Sequence, residues 1–145
     1  MAERDPIELA ATSLRYRDRS RQELDARLAR AGVDDDARAD ALDTLERVGY
    51  VDDGRLAAAR AAALAGRGYG DEAIRHDLSG RRVAAEAIEA GLEALAPERE
   101  RAAALVERLG RTRKVAARLA RKGFGHDSIE SALGGDLAED AGADV

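Results

Sequence analysis

The chain of 145 residues contains no cysteine and no tryptophan, and only two histidines, His76 and His126. Without thiols there is no disulfide framework and no thiolate zinc site, and two separated histidines do not make a metal cluster, so no metal or other cofactor is expected. Long apolar runs are missing too. The longest, such as LAAA and AAALA, are far too short to span a bilayer, and nothing resembles a signal peptide. A soluble, cytoplasmic protein without a membrane partner is expected. Aromatic residues amount to three tyrosines and one phenylalanine. That is too few for a stacking platform on single-stranded nucleic acid. Tyr16, Tyr50, Tyr69 and Phe124 instead read as core plugs at helix ends.

Charge is abundant, at 37% of residues with a net charge of -5, but its signs segregate. Acids dominate from Val33 to Asp53, a stretch expected to repel phosphate. From His126 onward Asp127, Glu130, Asp136, Glu139, Asp140 and Asp144 have no lysine or arginine to offset them. Between these acidic regions lies RTRKVAARLARKGFG, residues 111–125, with six basic side chains and no acid.

Apolar residues recur at helical spacing, and no run alternates like a half-buried strand, so the chain is expected to be all-α. Helix starts are marked. Asp5, Pro6 and Glu8 form one N-terminal signal, and Ser20 with Glu23 forms a capping box. Asp52 or Asp53 caps a third helix, while Pro97 with Glu98 and Glu100 opens another. Gly32, Gly49, Gly66 and Gly123 each follow an apolar stretch and are expected to end helices in the left-handed conformation.

The helices repeat. Leu24, Leu28, Val33 and Leu42 recur at the same spacing as Ile74, Leu78, Val83 and Leu92, then as Val115, Leu119, Phe124 and Leu133. A further helix precedes each set: 6–17, 53–65 and 97–109. The expected architecture is three tandem three-helix repeats, 1–49, 50–95 and 96–134, forming an elongated curved array. An acidic tail, 135–145, is expected to be disordered and to fold back on the basic segment.

The strings RDRSRQEL with LARAGV, then LERVGYVDD, then GYGDEAIRHDL and RKVAARLARKGFGHDSIESAL, taken in this order, resemble the RecX family, regulators of the RecA recombinase. The resemblance covers nearly the whole chain. Two positions depart from the family pattern: Leu56 replaces an aromatic residue, and Arg82 stands where a glycine would end a helix. The resemblance implies a non-enzymatic protein lying in the groove of the RecA filament on single-stranded DNA. There it would limit ATP hydrolysis, strand exchange and filament growth, and so modulate recombination, DNA repair and the SOS response.

The residues themselves nominate a surface. At about 100° per residue, Arg111, Lys114, Arg118, Arg121 and Lys122 fall in one stripe beside Val115 and Leu119. Such a stripe can meet acidic protein or, without sequence preference, the DNA backbone. Arg15, Arg17, Arg19 and Arg21 form a second basic set around the turn after the first helix, interrupted by Asp18. A solvated face is the competing reading for both sets. A helix-turn-helix reader is disfavoured because HDSIESAL, its recognition helix, carries Asp127 and Glu130 and no cation. A helical interaction module with some other partner remains the alternative.

Catalytic motifs fail. GRGYG follows a helix instead of a strand, so it is a turn. DDDARADALDTLE has Ala39 where a calcium loop needs glycine. Asp52 and Asp53 have no nucleophile beside them and read as caps, and His76 and His126 read as surface residues. The expectation is a monomeric binding protein, not an enzyme.

Overall fold

A computed structural model of the chain describes residues 5–15 and 17–134; Tyr16 and the expected acidic tail, 135–145, lie outside the described residues. The described residues are helical, with no strand among them. In chain order the helices are α1 (Pro6–Leu14), α2 (Arg21–Arg30), α3 (Asp35–Arg47), α4 (Asp53–Gly66), α5 (Asp71–Gly80), α6 (Ala85–Glu93), α7 (Glu98–Leu109), α8 (Arg113–Arg121) and α9 (His126–Leu133). The extensive helix packing runs within α1–α3, α4–α6 and α7–α9. The all-α expectation is met.

Capping explains most boundaries. Asp5 accepts from the Ile7 N–H, with Pro6 at the first helical position, although Glu8 does not complete a box. α1 also stops at Leu14, three residues before the expected end. In the Ser20 box, the Ser20 hydroxyl accepts from the Glu23 N–H at 3.1 Å, and the Glu23 carboxylate accepts from the Ser20 N–H at 3.1 Å. Asp34 and Asp52 cap α3 and α4 by accepting from the Ala37 and Arg55 N–H groups, without a reciprocal bond. At the other ends, Gly32, Gly49 and Gly123 adopt positive φ as expected, but Gly66 does not. It stays helical, and Gly68 makes the left-handed turn two residues later. The helix keeps its last turn because Gly66 can continue it and the Tyr69 N–H then returns to the Leu64 carbonyl. Arg82 occupies the corresponding turn after α5 with φ of 58°, the one non-glycine residue at positive φ among those described.

Each triplet has its own core. Leu24, Leu28, Leu42 and Leu45 close on Ala10 in the first, joined by Val51. The second gathers Leu56, Ala57, Ala61, Ile74, Leu78, Ile88 and Leu92. The third gathers Ala102, Val106, Val115, Leu119, Phe124, Ile129 and Leu133. Every repeat position named from the spacing is in a core except Val33, which is half-buried against the first. Small residues set the tightest approach: a Cβ added to Gly91 on α6 would lie 3.3 Å from the Ala57 backbone on α4.

Hydrogen bonds, not apolar packing, join the triplets. At the first joint Asp53, the first residue of α4, accepts from the Arg21 N–H that begins α2 (2.9 Å) and from the Ala84 N–H that precedes α6 (3.1 Å). The Ser20 hydroxyl, fully buried, donates across the same joint to the Arg81 carbonyl at 2.7 Å. At the second joint Glu98, the first residue of α7, repeats the device. It accepts from the Asp71 N–H that begins α5 (2.7 Å), the Gly125 N–H that precedes α9 (3.0 Å) and the Ser128 hydroxyl (2.7 Å). Helix N-termini leave their first N–H groups unpaired and carry partial positive charge, so one carboxylate serves two of them at once. Backbone completes this joint: the Gly70 N–H donates to the Lys122 carbonyl at 2.8 Å and the Glu72 N–H to the Gly123 carbonyl at 3.1 Å. Only glycine fits at position 70, because a Cβ there would stand 2.5 Å from Gly123 and Phe124 backbone atoms.

Burial raises the pKa of Glu98, but bonds from Ser128, Asp71 and Gly125, together with the Arg101 charge, outweigh it and hold the carboxyl below its ordinary value. A depressed carboxylate stabilises fully above the unfolded value of about 4.3 and loses that contribution as pH falls through the folded value. Glu98→Ala is expected to cost about 2 kcal/mol at neutral pH by orphaning buried donors, with the gap to the parent closing below about pH 4. Thermal unfolding across pH reads this directly, and a gap that widens on acidification contradicts it. Arg82→Gly is expected to gain roughly 0.5 kcal/mol, the relief of a left-handed side chain less the added chain entropy. Urea unfolding of that variant is the check.

Candidate interaction surface

The structure divides the nine nominated cations. α8 begins at Arg113 and is capped by the Thr112 side chain, which accepts from the Val115 N–H at 3.2 Å. Val115 and Leu119 point into the third core, so the helix turns the other side outward. Lys114, Arg118 and Arg121 are exposed on it, one helical stripe at positions i, i+4 and i+7. Arg111 does not belong to that helix. It precedes the cap, and its guanidinium donates to the Leu133 carbonyl at 2.6 Å and the Gly134 carbonyl at 3.1 Å, closing the C-terminus of α9. The helical projection failed there because it carried the α8 period past the point where α8 starts. Lys122 lies just beyond the other end of α8, half-buried, with its ammonium 4.0 Å from the centre of the Tyr69 ring.

The second basic set is mostly consumed inside the first triplet. Arg17 pairs with Glu23 at 3.0 Å. Arg21 is held by Asp43 at 2.8 Å and by Glu46, and those two carboxylates keep its charge despite burial that works the other way. Arg19 is half-buried and donates to the Ser13 carbonyl at 3.3 Å; desolvation, then repulsion from Arg27 and Arg17, lowers its pKa. Arg15 is exposed at the end of α1. The sequence shows these acids but not their distance: Asp43 and Glu46 reach Arg21 from a different helix.

Three features escaped the sequence reading. Arg113 is exposed at the first position of α8 and adds to the basic face. The acids Asp52 and Asp53 split their work, Asp52 capping α4 and Asp53 bridging the joint, a role that its register with Glu98 could have disclosed. Tyr50 was expected to plug the core, yet it is 65% exposed beside Val48 at 58%. The turn after α3 sends Val51 inward instead, and consecutive residues in an extended turn cannot both face one core. Phe124 is buried as expected, and Tyr69 is half-buried. His76 is exposed, and His126 meets Glu130 at 3.0 Å.

The third triplet thus has a distinct electrostatic character. Residues 96–134 hold nine Lys and Arg against five Asp and Glu, whereas residues 1–49 hold nine against twelve. Among the described residues no group of three or more His, Cys, Asp or Glu could hold a metal ion, and no helix is long and apolar enough to cross a membrane. Arg111→Ala is expected to cost about 1–2 kcal/mol, because the last carbonyls of α9 lose charged donors. Arg118→Glu with Arg121→Glu is expected to shift stability by no more than about 0.5 kcal/mol. Chemical denaturation of both separates the capping arginine from the surface ones.

Fold and surface together define an all-α protein of helical triplets with a basic face on α8. No protein-family model matches the chain. It is, however, 37% identical over 147 residues to the regulatory protein RecX of Xanthomonas citri, with 94% of this chain and 91% of that protein covered. To the regulatory protein RecX of Stenotrophomonas maltophilia strain R551-3 it is 34% identical, covering 90% of this chain and 86% of that one. The crystal structure of RecX from Lactobacillus salivarius superposes with a TM-score of 0.75 at 19% identity, covering 88% of this chain and 92% of that chain. A second crystal structure of a regulatory protein RecX gives 0.69 at 22% identity, covering 86% of this chain and 69% of that one. These structures share the fold. The chain belongs to the RecX family of regulatory proteins.

Proposed function

We propose that the chain regulates RecA by binding the RecA–single-stranded DNA filament, without catalysing a reaction, and that it restrains ATP hydrolysis, strand exchange and filament extension. Recombination, DNA repair and the SOS response are then its field of action, in the cytoplasm where the filament forms. The observation that carries this reading is 37% identity to a curated RecX protein across 94% of the chain. The architecture supports it. Separate cores joined by hydrogen bonds suit an elongated, curved monomer of three repeats that contacts several subunits of a polymer, since each repeat packs only on its neighbours.

Regulation then follows from differential affinity: a ligand that prefers the assembled filament over free RecA or free DNA shifts the population it binds. Lys114, Arg118 and Arg121 supply charge complementarity toward acidic filament surface or the bound DNA backbone, raising the on-rate and setting the salt dependence. Arg111 contributes from a different place, by keeping α9 closed. The first triplet brings less net cation to such contacts, because Arg17 and Arg21 are already paired.

The test is DNA-dependent ATP hydrolysis by cognate RecA on single-stranded DNA as the protein is added. Inhibition below one protein per RecA subunit, with weak binding to naked DNA at the same salt, is the expected result. No effect at excess removes RecA as the partner and leaves a helical module for another protein. The Arg118→Glu, Arg121→Glu double variant is expected to need about tenfold more protein for the same inhibition at low salt. Undiminished inhibition by the folded double variant removes the basic face from the mechanism.

A further inference from the structure

The second joint does more than hold two triplets together. Where α4 ends, α5 begins and α8 ends, the surface sinks into a groove of about 600 Å³ lined by Leu64, Arg67, Tyr69, Ala73, His76 and Arg121. Its cations come from both sides of the joint. Arg67 follows α4 and stands 5.5 Å from the Tyr69 ring centre, while Lys122 reaches the same ring from the third triplet at 4.0 Å. Of the acids along it, Asp77 is already engaged: Arg60 binds it at 2.9 and 3.1 Å, and Arg81 at 3.2 Å. Glu72 is exposed, with Arg75 as its ion-pair neighbour at 4.0 Å. Arg67 and Arg121 are exposed and form no ion pair among the described residues.

We propose that this groove is a docking site for an acidic peptide segment of a partner protein, carboxylates meeting Arg67 and Arg121 and an intervening aliphatic side chain resting on Leu64 and Ala73. Guanidinium groups favour carboxylates by forked hydrogen bonding, and a concave site with an apolar floor and few polar groups is the usual form of a binding pocket. A nucleic-acid strand fits less well. The Tyr69 ring is already engaged by Lys122 and approached by Arg67, which works against base stacking, and Glu72 opposes a continuous run of phosphates. Because the cations belong to different triplets, an occupant would also bridge the joint and resist its bending.

The inference does not depend on RecA being the partner, and its test contains none. The full chain is titrated, by fluorescence anisotropy at low salt, against a short labelled peptide of alternating glutamate and leucine and against a thymidine oligonucleotide of equal length. The expected result is saturable peptide binding that Arg67→Glu weakens about tenfold, Arg67→Gln weakens less, and Arg30→Glu leaves unchanged. Arg30 is exposed at the end of α2 and serves as the charge-matched control. Peptide titration is also expected to shift the Tyr69 ring resonances. No saturable binding, an equal loss with Arg30→Glu, or an oligonucleotide that displaces the peptide and moves Tyr69 in its place would each overturn the proposal.

Discussion

A carboxylate shared by helix N-termini is the constraint on which this structure depends. Each triplet completes a small apolar core, but such a core says nothing about where the next one lies. Asp53 and Glu98 supply that information, because each starts one helix and accepts from the N–H groups that start two others. An apolar interface of comparable size would tolerate sliding. A carboxylate on directed N–H donors does not, since hydrogen bonds weaken steeply with angle. The relative setting of the triplets is therefore fixed by a few polar contacts, and the molecule can be extended without being loose.

The second joint carries further demands. Gly70 and Gly123 bring two backbones closer than any side chain allows, and Arg101 crosses from α7 to Asp71 at 2.6 Å with Phe124 beneath its guanidinium at 5.9 Å. Burial raises the pKa of Asp71 in spite of that partner, so the pair is held there at an electrostatic cost. Arg101 stands where the second triplet has Leu56, at the same position of its helix. The equivalent helix position thus carries a core residue in one triplet and a joint-spanning cation in the next.

The same architecture explains the division of charge. In the first triplet α3 is acidic and lies against α2, so Arg21 finds Asp43 and Glu46, and Arg38 finds Asp25. In the third triplet the partner of α8 is α9, whose acids are Asp127 and Glu130, and Glu130 meets His126 on its own helix. Arg113, Arg118 and Arg121 of α8 are left facing outward. Segregation visible as a run of letters becomes an exposed face only because of what packs opposite it.

Much of this was legible in the chain alone. Helix starts were legible because Asp5, Ser20 and Asp52 act on N–H groups two or three residues away, and cores because leucine and isoleucine recur with the period of a helix. Local chemistry and periodicity therefore determined the all-α class, several of the caps and the repeated apolar positions of each core. The tertiary structure alone decided which cations remain available, why Tyr50 faces solvent, and how Asp53 and Glu98 bind helices up to 32 residues away in sequence. The physical reason is range. A cap or an apolar stripe is settled within a turn or two of its own helix, but a charge is cancelled or left open by whichever helix the fold brings against it.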